Sequence, residues 1–284
     1  MSNKLKFQST KRILGEGGYG TVFATNDPNY AIKIFKEDKD HDSVNNRKKE
    51  LESNGKLIDV FKGNPSIITK YTLLHAQYSR DDNISDGIIY QRCRGYTLFE
   101  YIYNKNKKDK VREALNNPKS VMKYIDCIYN VYECMHTFFI PLWEQNYLHC
   151  DIKPKNIMIC GKDDYVRIID LGGLINGTKC VTRTDTYHPQ YKVDVINLLK
   201  GCHPGLFYDY DGIVHWIEKY THDNNDVYAC CVTLLEMVAP VMKYIREGSS
   251  ISREITESSD RIHICIHDIL STSKLVDVNY FKNQ

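Results

Sequence analysis

The chain has 284 residues, of which 42% are hydrophobic and 26% charged. This is an ordinary globular composition that can bury a sizeable core, in one functional unit of one or two lobes. Its 38 lysine and arginine residues nearly balance its 36 aspartate and glutamate residues, so the net charge gives no reason to expect direct nucleic-acid binding. No run approaches the roughly 18 apolar residues that span a bilayer, so we expect no membrane partner.

The ten cysteines bear on the compartment in which the protein works. No apolar secretory stretch follows Met1, and a chain of this length with ten cysteines favours reduced thiols over a disulfide framework. We therefore expect the cysteines to be small buried hydrophobic residues. The same observation predicts a cytoplasmic or nuclear protein that is not secreted.

The first third of the chain predicts strands and one helix. Residues 7–35 alternate apolar and polar side chains around a glycine cluster, which is typical of hairpin strands. Apolar residues then recur at roughly helical spacing between Leu51 and Phe61, which predicts a helix after three strands. Short apolar runs at 67–74 and 88–90 follow, so the expected order is strands with a single helix.

The rest of the chain predicts mostly helices. From Ser120 to Leu142 the apolar residues have a helical period, and the short polar stretch Gln91 to Gly95 marks the expected boundary between the two parts. The strongly charged stretch Asn104 to Lys110 is interpreted as a solvated loop or helix end rather than a docking patch.

The first functional motif is the run GEGGYGTV. Gly15, Gly17 and Gly20 have G-x-G-x-x-G spacing, with Gly18 inside the motif and Val22 shortly after it. Dinucleotide-binding folds share this spacing, but there a helix follows the loop, whereas the residues after this loop predict a strand. Backbone without side chains at the tip of a hairpin can approach phosphate oxygens. The alternative is a flexible hairpin turn.

A lysine follows on the next predicted strand, in the sequence Ala31, Ile32, Lys33. A lysine on a buried strand is costly unless a charge meets it, and phosphates together with a carboxylate could do so. Glu50, in the helical stretch KKELES, is the first candidate for that carboxylate, and Glu52 is the second. An exposed lysine at a sheet edge is the other interpretation.

The strongest signal is the run HCDIKPKN, followed by an apolar stretch and the sequence DLG. Asp151 can orient and deprotonate an attacking hydroxyl, and Lys153 can neutralise charge on a transferred phosphoryl group. Asn156 and Asp170 can ligate magnesium through hard oxygens. Four such polar functions in this order within about 20 residues favour a catalytic site over unrelated loop residues.

These motifs together resemble the eukaryotic protein kinase family, from about Gly15 to Val238. HCDIKPKN is similar to the catalytic loop H-R-D-x-K-x-x-N, IIDLGG to the D-F-G magnesium motif, and AIK to the V-A-I-K strand. The resemblance implies an α+β, bilobal protein kinase fold as a single domain over 1–284. Its strand-rich N-terminal lobe (1–90) has one main helix, the hinge follows (91–95), and the C-terminal lobe (96–284) is mostly helical.

The resemblance also implies an activity and the residues that carry it. The lysine two positions after Asp151 resembles the serine/threonine branch, which implies transfer of the γ-phosphoryl group of ATP to a protein serine or threonine. The implied metal is Mg²⁺, which Mn²⁺ could replace. Asp151 is then the catalytic base, Lys153 contacts the phosphoryl group, and Asn156 and Asp170 bind the metal. The implied nucleotide-binding residues are Gly15, Gly17, Gly18, Gly20, Val22, Ala31, Lys33 with its partner Glu50, the gatekeeper Tyr90, and Gln91 and Cys93 in the hinge.

Several positions depart from the family pattern. Cys150 replaces the arginine that often pairs with a phosphorylated activation loop, so we expect activity without loop phosphorylation. Leu171 replaces the phenylalanine of D-F-G, a side chain that packs and does not ligate.

Other residues agree with the family pattern. Asp226 is similar to a buried aspartate that anchors the catalytic loop. Trp143 is expected to pack the helix before that loop.

The later part of the chain departs further. TRTDTYHPQ resembles a degraded T-x-x-Y-x-A-P-E, in which Thr184 and Tyr187 keep their spacing but Gln190 replaces glutamate. An insertion around 191–225 is expected on the substrate side, before a trimmed C-terminal end. With these departures, the chain resembles the compact kinases of large DNA viruses, such as the baculoviral protein kinases. This resemblance would place the protein in the cytoplasm or nucleus of a host cell.

Two other function classes compete with an active protein kinase. A pseudokinase that acts as a binding or scaffold module would explain the missing arginine, but it predicts the loss of a key residue such as Lys33 or Asp170, and both are present. A small-molecule phosphotransferase would have histidine where Lys153 stands. The alternating His263, Cys265 and His267 could present metal ligands, although a buried segment is the favoured interpretation. The sequence predicts no oligomeric state.

Overall fold

The computed structural model describes residues 9–36, 43–73, 75–81, 84–103, 118–161, 165–177, 226–234 and 236–237. The chain divides into two compact units. The first consists of Met1–Gly95 together with Arg167–Gly173, and the second of Tyr96–Val166 and Leu174–Gln284. The short stretch Arg167–Gly173 therefore packs with the first unit, although it lies far along the chain.

The first unit is built on a five-stranded antiparallel sheet in the order β1-β2-β3-β5-β4. These strands are β1 (Ser9–Glu16), β2 (Gly20–Thr25), β3 (Tyr30–Phe35), β4 (His75–Asp81) and β5 (Ile84–Gln91). β2 and β3 pair in continuous register from Gly20 opposite Phe35 to Ala24 opposite Ala31. Within the alternating stretch 7–35, the described residues 9–35 thus fold as two consecutive hairpins, as the sequence predicted.

Two helices accompany the sheet in the described residues of the first unit. Helix α1 (Ser43–Val60) follows the third strand, as predicted, and buries Leu57 and Glu50. The described part of the run at 67–74 does not form a strand, because Ser66–Tyr71 is a short helix, α2, that buries Ile68 and Tyr71. A short apolar run has no period that separates a strand from a buried helical turn. The sheet core is formed by Ile32 and Ile89.

The second unit is mainly helical in the part that the structure describes. Its longest element, α4 (Pro118–Glu144), covers the predicted helix and buries one apolar stripe that includes Phe138, Phe139 and Leu142. Residues 226–234 form another helix, fully buried. The remaining elements are β6 (Gly95–Thr97), α3 (Leu98–Tyr103), β7 (Tyr147–Leu148), a 3₁₀ turn (Pro154–Asn156), β8 (Ile157–Cys160), β9 (Tyr165–Ile168), a 3₁₀ turn in the first unit (Leu171–Gly173) and β10 (Ile175–Asn176).

The cysteines follow the sequence expectation only in part. Cys127, Cys134, Cys150, Cys230 and Cys231 are buried thiols outside any disulfide, and burial raises the pKa of Cys231 well above its ordinary value. Cys93 and Cys160, however, are disulfide-bonded. Composition alone could not predict this, because a disulfide requires two cysteines whose Cα atoms lie within about 7 Å of each other. That distance is set by the tertiary structure.

Within the described ranges, no helix combines the length and the apolar character needed to cross a membrane.

Candidate active site

The glycine loop is the tip of the first hairpin. The backbone N–H of Gly17 donates to the carbonyl of Gly20 at 2.9 Å and closes the turn between β1 and β2. A Cβ at Gly15 or Gly18 would meet nothing within 4 Å, whereas a Cβ at Gly20 would lie 2.5 Å from the backbone oxygen of Ile34. Gly20 is therefore required by its close approach to β3, and the open backbone at Gly15, Gly17 and Gly18 is the part accessible to a ligand.

Lys33 lies at the centre of a cluster of charges in the first unit. Its Nζ donates to Glu50 Oε2 at 2.7 Å and to Asp170 Oδ1 at 2.9 Å. The lysine and Glu50 side chains are only 12% and 6% exposed, whereas that of Asp170 is 37% exposed. The carboxylate on α1 that meets Lys33 is thus Glu50. Glu52 instead lies on the exposed side of the helix, 3.9 Å from Lys48.

The electrostatics of this cluster keep Lys33 charged. Burial alone would lower the pKa of Lys33, but the carboxylates of Asp170 and Glu50 outweigh burial and hold this pKa above its ordinary value. The cluster has little space beside it, because a Cβ at Gly172 would lie 3.0 Å from Glu50 Oε2. The glycine of the DLG sequence therefore allows close approach of the backbone to Glu50.

Tyr90 adds a contact that the sequence analysis did not predict. It lies opposite Ala31 in the β3–β5 pairing, and its hydroxyl donates to Glu50 Oε1. Burial, and then the charge of Glu50, raise the pKa of Tyr90 well above its ordinary value. Gln91 is exposed and pairs with Tyr30 at the end of the same strand. Val22 lies on β2, the other neighbour of β3, and is paired with Lys33.

The HCDIKPKN segment forms a closed network in the second unit. Lys153 Nζ donates to both carboxylate oxygens of Asp151, at 2.8 and 2.7 Å. Asn156 Nδ2 donates to the Asp151 carbonyl at 2.8 Å and to its Oδ2 at 2.9 Å. Because these bonds occupy the amide nitrogen, they orient Asn156 so that Oδ1 is the atom suited to act as a hard ligand.

A buried aspartate anchors the backbone of this segment. Asp226, 1% exposed, accepts hydrogen bonds from the backbone N–H of His149 at 2.5 Å and from that of Cys150 at 2.8 Å. The indole of Trp143 donates more weakly to the same carboxylate, at 3.4 Å, and stacks on Phe139. Burial raises the pKa of Asp226, although His149 and these hydrogen bonds oppose the increase.

Two of the candidate positions have unusual backbone conformations. Cys150 and Asp170 adopt φ angles of 66° and 59°, in the left-handed region that residues other than glycine rarely occupy. At Cys150 the bond from its N–H to Asp226 helps to hold this conformation. At Asp170 the ion pair with Lys33 does so. Such conformations occur preferentially at functional sites, where the surrounding structure maintains them.

The structure therefore groups the predicted site residues in two sets. The first unit brings together Lys33, Glu50 and Asp170, and the second unit brings together Asp151, Lys153 and Asn156. The predictions for 104–110, for Thr184, Tyr187 and Gln190, for the insertion at 191–225 and for His263, Cys265 and His267 lie outside the described residues.

A protein-family model matches the part of the chain that contains the site residues. Residues 8–193, more than half of the chain, match the family model described as protein kinase domain. The chain belongs to the protein kinase family. The predicted α+β kinase fold is thereby confirmed, and the matched residues include both sets of site residues described above.

Three curated relatives illustrate the similarity. The kinase is 30% identical over 55% of its length to a "Probable serine/threonine-protein kinase" of Dictyostelium discoideum. It is 24% identical over 83% of its length to the serine/threonine-protein kinase PknD of Chlamydia pneumoniae. It is 30% identical over 52% of its length to the B1 kinase of vaccinia virus, strain Ankara. The alignments cover 41%, 24% and 45% of these relatives, so the chain spans less than half of each.

The sequence could have indicated Tyr90 only in outline. Its position before the polar stretch suggested a gatekeeper, but nothing in the sequence showed that its hydroxyl reaches a glutamate 40 residues earlier. Trp143 was expected only to pack, but its indole N–H also donates a hydrogen bond to the Asp226 carboxylate.

Proposed function

We propose that this kinase transfers the γ-phosphoryl group of ATP, with a divalent metal that we take to be Mg²⁺, to serine or threonine hydroxyls of protein substrates. The observation that carries the proposal is Lys33, a buried ammonium held between Glu50 and Asp170. A cation fixed in this way is suited to binding phosphates, because its position is maintained before the nucleotide arrives.

In each unit, taken by itself, one residue has the kind of donor that such a metal binds. Asp170 offers a carboxylate with a partly exposed side chain, and Asn156 offers an amide oxygen whose orientation is fixed by its own hydrogen bonds. These are the hard oxygen donors that Mg²⁺ prefers. When bound, the metal would neutralise charge on the phosphates of ATP.

The catalytic loop supplies the groups for the acceptor hydroxyl. Asp151, a carboxylate with two donors already placed on it, would orient the hydroxyl and accept its proton. Lys153, held at 2.7 Å from Asp151, would neutralise charge on the transferred group. The lysine at this position, together with the names of the similar proteins, favours serine and threonine as acceptors.

The proposal is tested by incubating the purified protein with labelled ATP, Mg²⁺ and a panel of basic and acidic proteins, followed by phosphoamino-acid analysis. We expect phosphoserine or phosphothreonine on at least one protein. Asp170→Asn should nearly abolish turnover and leave the fold intact, because it removes a metal ligand with little change in volume. Asp126→Asn, on the exposed side of α4, is the matched control.

Wild-type phosphotransfer by Asp170→Asn at saturating Mg-ATP would reject the metal assignment. An inactive wild-type protein that still binds nucleotide would favour the pseudokinase alternative.

A further inference from the structure

We propose that Tyr90 is a positioning residue of this kinase, whose phenol holds the Glu50 carboxylate in the orientation in which Glu50 pairs with Lys33. The inference rests on the proposed function of Lys33. It assigns to Tyr90 a role beyond that of a residue lining the adenine site.

The two oxygens of Glu50 have separate donors. Oε1 accepts from the Tyr90 hydroxyl, and Oε2 accepts from Lys33 Nζ at 2.7 Å. The donors come from different strands of one sheet, Tyr90 from β5 and Lys33 from β3, while Glu50 comes from helix α1. Because each oxygen is bonded, rotation of the carboxylate would break at least one hydrogen bond.

Burial makes the second bond important. Glu50 is 4% exposed, so water cannot readily replace a lost partner. A buried ion pair is stable only when its remaining acceptors are hydrogen-bonded, and a charge-assisted bond is stronger than a neutral one. The phenol therefore donates to Oε1, the oxygen that Lys33 does not contact. Without the phenol, the Glu50 carboxylate would be expected to rotate so that both of its oxygens compete for Lys33.

The surroundings restrict how Glu50 could otherwise be held. The Gly172 backbone lies against Oε2, where an added Cβ would be at 3.0 Å. Lys33 also contacts Asp170, so a displaced Glu50 would leave the ammonium bound on one side only. The phenol stays protonated as a donor through the neutral range, since burial and Glu50 raise its pKa. The consequence of losing the hydroxyl should thus appear in the placement of Lys33.

The test is a double-mutant cycle with Tyr90→Phe and Glu50→Ala. The first removes only the hydroxyl and keeps the ring, and the second removes both acceptor oxygens. We expect Tyr90→Phe to lower kcat about tenfold, equivalent to about 1.4 kcal/mol, with little change in the KM for ATP. Glu50→Ala should lower it further, and the double variant should be no less active than Glu50→Ala alone.

Tyr124→Phe is the matched control. It makes the same chemical change at a tyrosine of the second unit that is 1% exposed and stacks on Tyr101. We expect its kcat to be close to that of the wild type, which would separate the role of Tyr90 from the general effect of removing a buried hydroxyl.

Two kinetic outcomes would overturn the inference. If the effects of Tyr90→Phe and Glu50→Ala multiply, Tyr90 acts independently of Glu50. If Tyr90→Phe raises the KM for ATP and leaves kcat unchanged, the residue only lines the nucleotide site.

A second measurement does not need activity. The same four proteins are compared by urea unfolding, in which a bond between the two side chains makes their effects non-additive. Additive effects there would overturn the inference even if the wild type proved inactive, an outcome that would itself reject the proposed function. Coupling in unfolding with none in kcat would make the bond structural and also overturn the positioning role.

Discussion

Lys33 shows how a buried lysine can be held in place for the proposed phosphate site. Its side chain is 12% exposed and meets two carboxylates within 3 Å, so its charge is balanced inside the protein. Removing one member of such a group leaves the others uncompensated. If the proposed function holds, the residues of this cluster should differ in their effects on catalysis, according to how directly each one would contact the phosphates of ATP.

We predict that Lys33→Met lowers phosphotransfer by about 100-fold or more, about 2.7 kcal/mol, because an apolar side chain of similar length cannot hold the phosphates in line. Glu50→Gln should cost less, since it acts through Lys33. Initial rates at saturating ATP measure both effects. Lys48→Met, at a lysine whose side chain is 74% exposed on α1, is the control. Unchanged activity in Lys33→Met would mean that another residue binds the phosphates.

At the scale of elements, the HCDIKPKN segment depends on a helix far along the chain. The helix at 226–234 brings Asp226 to the backbone N–H groups of His149 and Cys150. This contact joins residues 76 or 77 positions apart. It supports a loop whose Cys150 has a left-handed backbone conformation, so the loop geometry should be lost when the carboxylate is removed.

We expect Asp226→Ala to lower the free energy of unfolding by several kcal/mol, since two buried N–H groups lose their acceptor at about 1–3 kcal/mol each. Activity should fall as well. Asp226→Asn should be milder, because it keeps the volume and one acceptor oxygen, and because the raised pKa of Asp226 shows that its ionised form is disfavoured by burial. Urea unfolding and initial rates measure both variants. Equal stability of Asp226→Ala and the wild type would contradict the anchoring role.

The link between β5 and α1 predicts a dependence on alkaline pH. The pKa of Tyr90 is raised in the folded state above its ordinary value of 10.0. The stabilisation linked to its proton is therefore fully present below about pH 10 and is lost as the pH rises through the folded pKa. The wild type should lose unfolding free energy above pH 10 more steeply than Tyr90→Phe, by at most about 1.4 kcal/mol per pH unit. Parallel curves for the two proteins would show that Tyr90 titrates normally.

At the scale of the whole molecule, the replacement of an arginine by Cys150 bears on regulation. Cys150 is a buried thiol, 7% exposed, at the position where many kinases have an arginine that receives a phosphorylated loop. A phosphate orders a loop only where a cation is placed to bind it. The segment between Asp170 and Gln190 is short, so ordering it costs little entropy. The proposed activity should then need no upstream kinase.

We predict that the bacterially expressed protein is active after treatment with a broad phosphatase. Mass spectrometry confirms that Thr182, Thr184, Thr186 and Tyr187 are unmodified, and the rate is compared with that of untreated protein. A fall of tenfold or more, about 1.4 kcal/mol, traced to one of these residues would show that another cation, such as Arg183 or Lys192, replaces the missing arginine. A cytoplasmic or nuclear location stays a prediction.

The sequence by itself determined the family and the order of the chemical groups. The spacing of HCDIKPKN and DLG, the AIK strand and the glycine run are local patterns, and each can be recognised without knowing what lies beside it. Hairpins at 7–35 and the long helix after Ser120 were likewise predictable, because periods of two and of about 3.6 residues are written directly in the chain.

Only the tertiary structure decided which groups meet. Glu50 and Glu52 are two residues apart on one helix, so the fold decides which one faces Lys33 and which one faces water. Gly20 is required by the backbone of β3 rather than by a ligand, and the Tyr90 hydroxyl reaches Glu50 across 40 residues of chain. Contacts of this kind depend on distances between elements, which no local pattern contains.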